Sequence, residues 1–337
     1  MLIVCGEYIS MESWDFIKSL GLDLDKLSLP KINKLHITGH NGFKVSSELH
    51  MGGFGISRYT LDNELVNIAK QKGVTVLENC KATDVTHLEN KSIIASTLGT
   101  YQAKLVCGSF GKIAPLFMER NTKKNKTNYI AVKYHIKTDF PENLIELHNF
   151  KNGYCGISTV DKETQCVCYL TTSENLQNNN NDIKQLEKNV LMQNPYLKHY
   201  FMNSIFLYEK PLSISNISFQ PKQTYQNGIL LLGDSAGTIA PLCGNGMSMA
   251  LRSSFILETL IANYLQNKIT KQELIDIYKS EWNNLFNKRI KTGYYLQKLF
   301  GKKTTTLLSL YVLRAFPILF KKIISFTHGN YIIKLSN

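Results

Sequence analysis

A short run near residue 235 constrains the fold of this chain more than any other part of its sequence. The apolar residues 228–232 predict a buried strand, which leads into Gly233-Asp234 and then into a glycine-rich bend at 241–247. A long helix is predicted directly afterwards, over residues 247–266. A strand, a bend and a helix in this order are typical of an α/β domain, in which the strand's carboxyl end and the helix N-terminus face one space.

The residues of this run suit a ligand that carries sugar hydroxyls and a flat ring. Asp234 follows the strand, where its carboxylate can accept hydrogen bonds from hydroxyl groups. Gly244 and Gly246 allow the backbone to approach a ring closely. The helix that begins near Met247 directs free N–H groups and a positive dipole end at the same space, where they would stabilise the negative charge of a reduced flavin. The alternative is a strand–turn–helix whose glycines serve packing alone.

The rest of the chain separates into a wound part and a sheet part. Strand and helix patterns alternate first: a helix over 10–20 capped by Ser10, strands over 35–38 and 43–46, a helix over 61–72 capped by Thr60, and a strand over 74–77. This order favours a wound α/β domain. Longer segments over 127–136, 154–159 and 166–172 predict the antiparallel strands of a separate sheet, which carries Tyr129, Tyr134, Tyr154 and Tyr169.

Composition narrows the class of protein further. The seven cysteines form no C-x-x-C pair and the chain opens without a signal-peptide pattern, so reduced thiols in a cytoplasm are expected. The eight histidines lack metal-ligand spacing, and no metal site is predicted. No window of 18 charge-free apolar residues predicts a membrane-spanning helix.

The net charge of +13 is concentrated at the C-terminal end, where ten basic residues and no acidic ones follow Glu281. These charges are interleaved with the apolar segments 307–313 and 316–320. An amphipathic helix pair over 304–327 is therefore predicted, either as a cap on the protein's own core or as a peripheral contact with the inner membrane face. A nucleic-acid partner is not expected, because the pattern does not suit a phosphate-reading groove.

The run around Asp234 resembles the second FAD fingerprint of the glutathione-reductase-type flavoproteins. The resemblance is to the branch that contains group A aromatic monooxygenases and geranylgeranyl reductases. Residues 5–10, CGEYIS, resemble the Cys-Gly segment of the geranylgeranyl reductase family, and residues 55–65, GISRYTLDNEL, resemble the Arg-x-x-(Leu/Phe)-Asp-x-x-Leu segment that opens the next helix.

This resemblance implies FAD as the cofactor and assigns it a set of contacts. Asp234 would bind the ribityl hydroxyls, and the backbone at 244–247 would face the N1–C2=O2 edge of the isoalloxazine ring. Arg58 would help to hold the cofactor, and the backbone of Ala82 would meet the adenine. Cys5 and Gly6 would lie beside the flavin, with Cys5 either a structural thiol or a catalytic candidate. The implied cofactor-binding residues are Cys5, Gly6, Arg58, Ala82, Gly233, Asp234, Gly244, Asn245, Gly246 and Met247.

Two features depart from the pattern of this branch. A G-x-G-x-x-G turn with an acidic residue about 20 positions later is expected before Cys5, and residues 1–337 do not contain one. The usual Asp-Gly after the strand at 102–107 is replaced by Ser109-Phe110-Gly111. The turn binds the pyrophosphate in such proteins, so this chain alone is expected to bind FAD weakly or not at all.

These observations predict an α/β fold, α+β overall, in three parts. The expected architecture is an incomplete glutathione-reductase-type FAD-binding domain (1–32, 58–115 and 213–268), an inserted antiparallel β-sheet substrate domain (33–57 and 116–212), and a basic helical C-terminal region (269–337).

The expected function is that of an FAD-dependent oxidoreductase on a small apolar substrate, isoprenoid, lipid-like or aromatic. It would act by hydride transfer to or from flavin N5 or by monooxygenation, with NAD(P)H as a candidate reductant. The alternative is an N-terminally truncated, non-catalytic remnant or a membrane-associated binding protein without FAD.

Overall fold

The computed structural model describes residues 4–118, 128–217 and 222–332, which form a mixed α/β fold. Its strands are β1 (Tyr8–Ser10), β2 (Lys31–Thr38), β3 (Lys44–Gly55), β4 (Ala82–His87), β5 (Ser92–Ser96), β6 (Gly99–Ala103), β7 (Cys107–Gly108), β8 (Tyr129–Lys137), β9 (Leu144–Phe150), β10 (Gly153–Thr159), β11 (Gln165–Thr172), β12 (Ile205–Phe206), β13 (Leu212–Ile217), β14 (Tyr225–Gln226) and β15 (Ile229–Leu231). Its α-helices are α1 (Trp14–Leu20), α2 (Arg58–Gln71), α3 (Ser173–Gln177), α4 (Ile183–Asn189), α5 (Pro195–Asn203), α6 (Gly246–Leu265), α7 (Lys271–Leu299), α8 (Lys303–Ala315) and α9 (Pro317–Thr327).

The described residues form one large sheet of nine strands. Its order is β1-β3-β2-β9-β10-β11-β8-β12, and β13 also pairs with β8. Every pairing is antiparallel except that of β2 with β9, where Leu35 lies opposite Ile145. The predicted antiparallel strands around Tyr134, Tyr154 and Tyr169 are therefore confirmed.

The strands β8 to β11 of this sheet are buried on both faces, so nearly all of their residues are inaccessible to solvent. One face carries Leu35, Leu147, Tyr154 and Leu170 and packs against the C-terminal helices. The other face carries a second apolar cluster, which packs against α4 and α5. Because alternate residues of a strand point to opposite faces, the four tyrosines divide between the two faces: Tyr129 and Tyr154 belong to the first cluster, and Tyr134 and Tyr169 to the second.

A smaller sheet in the order β14-β15-β7 carries the run that the sequence singled out. β15 is parallel to β7, with Leu230 opposite Cys107. The side chains of α6 and α7 cover it, and the Tyr278 hydroxyl donates a hydrogen bond of 2.9 Å to the carbonyl of Leu231. The predicted buried strand and the following helix are confirmed. β4, β5 and β6 form a third sheet, in that order.

Local predictions failed at three places. Residues 74–77 form no strand, and Val74 and Leu77 are 54% and 45% exposed because no described strand lies beside them. Ser57, not Thr60, caps α2: its side chain accepts a hydrogen bond from the N–H of Thr60, so the helix begins at Arg58. The helix predicted over 10–20 begins only at Trp14, because Ser10 ends β1 and its side chain caps a short 3₁₀ turn by accepting a hydrogen bond from the N–H of Glu12.

The C-terminal end forms the predicted helix pair, α8 and α9. Leu310, Leu313 and Phe320 of this pair are buried against the large sheet, as a cap on the protein's own core requires. Phe316 and Ile318 point outward, with 61% and 84% of their surfaces exposed. Among the described residues, no helix combines the length and the apolar character needed to cross a bilayer.

Candidate functional site

A cavity of about 840 Å³ lies between the large sheet, the run from β15 to α6, and the helices α8 and α9. Every residue that the resemblance singled out lines this cavity except Ala82. Ala82 is an exposed residue at the start of β4. The fold therefore brings together residues from distant parts of the sequence, while their individual contacts with FAD, including that of Ala82, stay predictions.

The end of β15 presents the Asp234 carboxylate to the cavity. Gly233 has a φ of +59°, which favours glycine and turns the chain sharply after the strand. The Asp234 side chain is partly exposed, and among the described residues its nearest cation is the Lys112 ammonium at 3.9 Å. That distance is too long for a hydrogen bond, so the carboxylate can accept hydrogen bonds from a ligand. Lys222 is held nearby, where it donates to the Asp234 backbone carbonyl at 2.6 Å.

The bend before α6 leaves backbone open to the cavity. Gly244 has a φ of +64° and ends a short 3₁₀ turn, and α6 begins at Gly246. The side chain of Asn245 does not cap the helix, so the first N–H groups of α6 have no side-chain acceptor from that residue. A Cβ atom added at Gly246 or at Gly6 would meet no atom within 4 Å. Open space beside two glycines and a helix N-terminus fits a flat, partly anionic ring such as isoalloxazine.

A buried charged cluster beside Gly6 was missed by sequence reasoning. Glu7 is almost fully buried and its φ of +54° is unusual for a non-glycine residue. Its carboxylate lies 2.5 Å from both Lys133 Nζ and His135 Nε2 and accepts the backbone N–H of Arg58 at 2.7 Å. Lys133 and His135 are alternate residues of β8 and lie 126 or more positions from Glu7, so local patterns could not have paired them.

The electrostatics of this cluster follow from the same contacts. Burial opposes the ionisation of Glu7, but the hydrogen bond from His135 and the charge of Lys133 outweigh it and lower the pKa of Glu7. Burial also raises the pKa of the Cys5 thiol, and the charge of Glu7 raises it further. These surroundings favour a neutral structural thiol at Cys5 over a nucleophile.

Arg58 takes part in the site through its position at the start of α2. Its guanidinium donates to Asp62, one turn later, with NH2 2.8 Å from Oδ2. Burial would lower the pKa of Arg58, but the hydrogen bond and the charge of Asp62, together with the neighbouring Cys5, outweigh that effect and the pKa is raised. The guanidinium is therefore held in place as a permanent positive charge at the cavity wall.

One donor set in the described residues has the spacing of a metal site. The ligand atoms of Glu7, His135 and Cys166 lie within 4.8 Å of one another. Burial raises the pKa of Cys166 well above its ordinary value, and the Lys133 ammonium already neutralises Glu7. A neutral thiol and a competing ammonium do not suit a metal ion, so the absence of a metal site stays our prediction.

The other end of the cavity is apolar. Its wall is formed by side chains of the large sheet, of α8 and of α9: Leu35, Ile37, Leu49, Ala131, Ile145, Leu147, Ile214, Ile217, Leu313, Phe320, Ile323 and Ile324. Such a surface excludes water and suits a hydrocarbon or an aromatic ring.

A parallel strand that ends in Gly-Asp, a glycine bend and a helix N-terminus facing an antiparallel sheet define the fold of FAD-dependent flavoproteins. Solved structures support this class. The flavin-dependent brominase Bmp2 superposes with a TM-score of 0.76 at 16% identity, covering 96% of this chain and 83% of that chain. PqsL of Pseudomonas aeruginosa, a probable FAD-dependent monooxygenase, superposes at 0.70 and 12% identity, covering 91% and 89%. The predicted fold class is confirmed.

Sequence comparisons agree with this class. The squalene epoxidase family model matches residues 156–292, less than half of the chain. The digeranylgeranylglycerophospholipid reductase of Methanococcus vannielii is 29% identical over 82 residues, which are 23% of this chain and 21% of that protein. The curated relatives are matched over about one fifth of their own length. The chain is thus related to FAD-dependent proteins of the geranylgeranyl reductase and monooxygenase branch, as its sequence predicted.

Proposed function

We propose that this protein is an FAD-dependent oxidoreductase whose flavin and apolar substrate meet in the 840 Å³ cavity. The observation that carries the proposal is the composition of that single cavity. Asp234, the bend at Gly244 and the start of α6 line one end, and the apolar side chains of the sheet, α8 and α9 line the other. FAD, when bound, would supply either hydride transfer at N5 or oxygen transfer to the substrate.

The residues of the chain then have separate tasks. Asp234 accepts hydrogen bonds from the ribityl hydroxyls, and the backbone around Gly244 and Gly246 lies along the ring. The N-terminus of α6 stabilises negative charge on the ring. The Arg58 guanidinium, fixed by Asp62, adds positive charge at the wall. The apolar end excludes water from the substrate.

The substrate that we propose is a small apolar molecule, isoprenoid, lipid-like or aromatic, with NAD(P)H as the reductant. The name of the related Methanococcus reductase refers to a digeranylgeranyl lipid. PqsL has been solved in complex with 2-aminobenzoylacetate. Both descriptions concern those proteins. We propose a similar class of substrate for this chain because its own cavity has an apolar lining.

We also propose that α8 and α9 make peripheral contact with the cytoplasmic face of a membrane. Leu308, Phe316 and Ile318 are 67%, 61% and 84% exposed, and basic side chains of the same helix pair surround them. Exposed apolar groups bordered by positive charge are typical of helices that lie in an anionic lipid surface. This observation also supports the second candidate function, a membrane-associated binding protein without FAD.

A flavin titration distinguishes the two candidate functions. Riboflavin lacks the adenosine diphosphate half of FAD, so we expect residues 1–337 to bind both flavins weakly and with similar affinity, measured by quenching of flavin fluorescence. Addition of a G-x-G-x-x-G segment before Cys5 should strengthen the binding of FAD but not the binding of riboflavin. Gly246→Val, which projects into the open cavity, should abolish binding of both. An extended chain that binds no FAD would favour the binding protein.

A further inference from the structure

Three buried polar atoms on the wall of the cavity have no hydrogen-bond partner among the described residues. They are Tyr8 Oη, Asn245 Oδ1 and His328 Nε2, and each belongs to a residue of the cavity wall. Tyr8 is 5% exposed and Asn245 is fully buried. Buried polar atoms in folded proteins are nearly always hydrogen-bonded, so three unpaired atoms on the wall of one cavity indicate a ligand that satisfies them.

The three residues form one continuous surface, although they come from distant parts of the chain. Asn245 Nδ2 donates to the carbonyl of Thr327 at 2.6 Å, and Thr327 Oγ1 lies 3.0 Å from Nδ1 of the adjacent His328. A Cβ atom on Gly244 would lie 3.2 Å from the ring of Tyr8. We call Tyr8, Asn245 and His328 the polar pole of the cavity.

The other hydrogen bonds of these residues determine which donors and acceptors the polar pole presents to a ligand. Because Asn245 Nδ2 donates to a carbonyl, Oδ1 is the amide's acceptor and remains for a ligand. His328 Nδ1 lies 3.0 Å from the carbonyl of Ile324, which can only accept, so the proton of the ring is on Nδ1. Burial lowers the pKa of His328, which keeps the ring neutral and leaves a lone pair on Nε2. The pole therefore presents two acceptors and the Tyr8 hydroxyl.

We propose that the polar pole binds a neutral hydrogen-bond donor, an O–H or N–H group, on an otherwise apolar or flat aromatic molecule. A carboxylate or phosphate does not match, because two lone pairs would face its oxygens in a buried site. The donor could belong to the hydroxyl of an apolar substrate or to the imide N–H of the flavin ring. The inference rests on the proposed function only in treating this cavity as the binding site.

Two matched pairs of probes test the inference and separate the two sources. Farnesol is compared with farnesyl methyl ether, and lumiflavin with 3-methyllumiflavin, because methylation removes the donor from each. Calorimetric titration of the chain without added FAD should show that one donor-bearing probe binds about tenfold more tightly than its methylated partner, since methylation leaves buried acceptors unpaired. The pair whose two members differ in affinity shows whether the donor belongs to an apolar substrate or to the flavin ring.

Variants connect this preference to the polar pole. Tyr8→Phe deletes a hydroxyl that has no partner, so it should not lower the melting temperature, and it should reduce the preference to about threefold or less. His328→Phe should reduce it as well. Leu313→Ala, at the apolar end, is the matched control and should weaken both members of a pair alike.

Equal affinities within both pairs, binding of none of the four probes, or a preference that survives in both pole variants would overturn the inference. A separate FAD titration keeps the two proposals distinguishable. The FAD titration uses the chain extended by a G-x-G-x-x-G segment, because residues 1–337 alone are expected to bind FAD weakly. Probe preference without FAD binding by the extended chain would refute the cofactor assignment alone, and FAD binding without any probe preference would refute the polar pole alone.

Discussion

Replacement of Asp234 by alanine tests the flavin assignment most directly, because the structure separates its effect on binding from its effect on the fold. The side chain is 28% exposed, and the nearest cation in the described part of the chain, Lys112 Nζ, is 3.9 Å away. Partly exposed pairs at such distances contribute little to stability, so the melting temperature without flavin should change by no more than a few degrees.

The expected loss of affinity follows from the hydrogen bonds that the carboxylate would accept. Hydrogen bonds to a charged group contribute about 1.5–3 kcal/mol, so Asp234→Ala should weaken riboflavin binding about ten- to hundredfold. Asp234→Asn keeps one acceptor oxygen and should weaken it less. Quenching of flavin fluorescence measures the dissociation constant, and the melting temperature with and without flavin is recorded in parallel.

Asp276→Ala is the matched control, since Asp276 is an exposed carboxylate of α7 outside this cavity, hydrogen-bonded to Gln272 at 2.9 Å. It should leave the dissociation constant unchanged. If Asp234→Ala binds riboflavin as tightly as the unsubstituted chain, the carboxylate does not contact the ribityl group and the assignment of this end of the cavity is wrong.

Three further predictions concern stability and the surface. Glu7→Gln should lower the free energy of unfolding in urea by about 3–5 kcal/mol, because it leaves the buried Lys133 ammonium unpaired; a loss below 1 kcal/mol would contradict this. Replacement of the exposed Phe316 and Ile318 by serine should reduce sedimentation with anionic liposomes while the large sheet stays covered, whereas equal sedimentation of both proteins would refute membrane contact through α8 and α9. Burial opposes ionisation of Glu146, but hydrogen bonds from His148, Tyr200 and His36 lower its pKa from the ordinary 4.5 to about 2. The contribution of Glu146 to stability is therefore complete above about pH 4.5 and is lost as the pH falls towards 2. Glu146→Gln should flatten the dependence of urea stability on pH in that window, and an unchanged slope would exclude the mechanism.

The buried cluster around Glu7 gives the cavity wall its shape. Its carboxylate joins the segment after Gly6 to β8 of the large sheet, and its hydrogen bond to the N–H of Arg58 joins that segment to the start of α2. Three separate elements are therefore held together at the point where the cavity lining includes Cys5, Gly6 and Arg58. A shift of this cluster would therefore move Cys5, Gly6 and Arg58 at the cavity wall.

The sequence alone determined those features that depend on local chemistry. The turn at Gly233, the bend at Gly244 and the start of α6 require glycine at particular backbone angles and follow directly after an apolar strand, so the pattern of residues was sufficient to predict them. The strands around Tyr134 and Tyr154 could also be predicted, since short segments rich in β-branched and aromatic residues are typical of strands.

Only the tertiary structure decided the pairings between distant residues. Glu7 meets Lys133 and His135, and Asn245 meets the end of α9, through contacts that no local pattern encodes. The failed strand at residues 74–77 has the same cause: Val74 and Leu77 have the residue types of a strand, but a strand exists only where a neighbour accepts and donates its backbone hydrogen bonds. Backbone conformation is set largely by neighbours in sequence, whereas buried charges, orphaned polar atoms and strand pairing are set by neighbours in space.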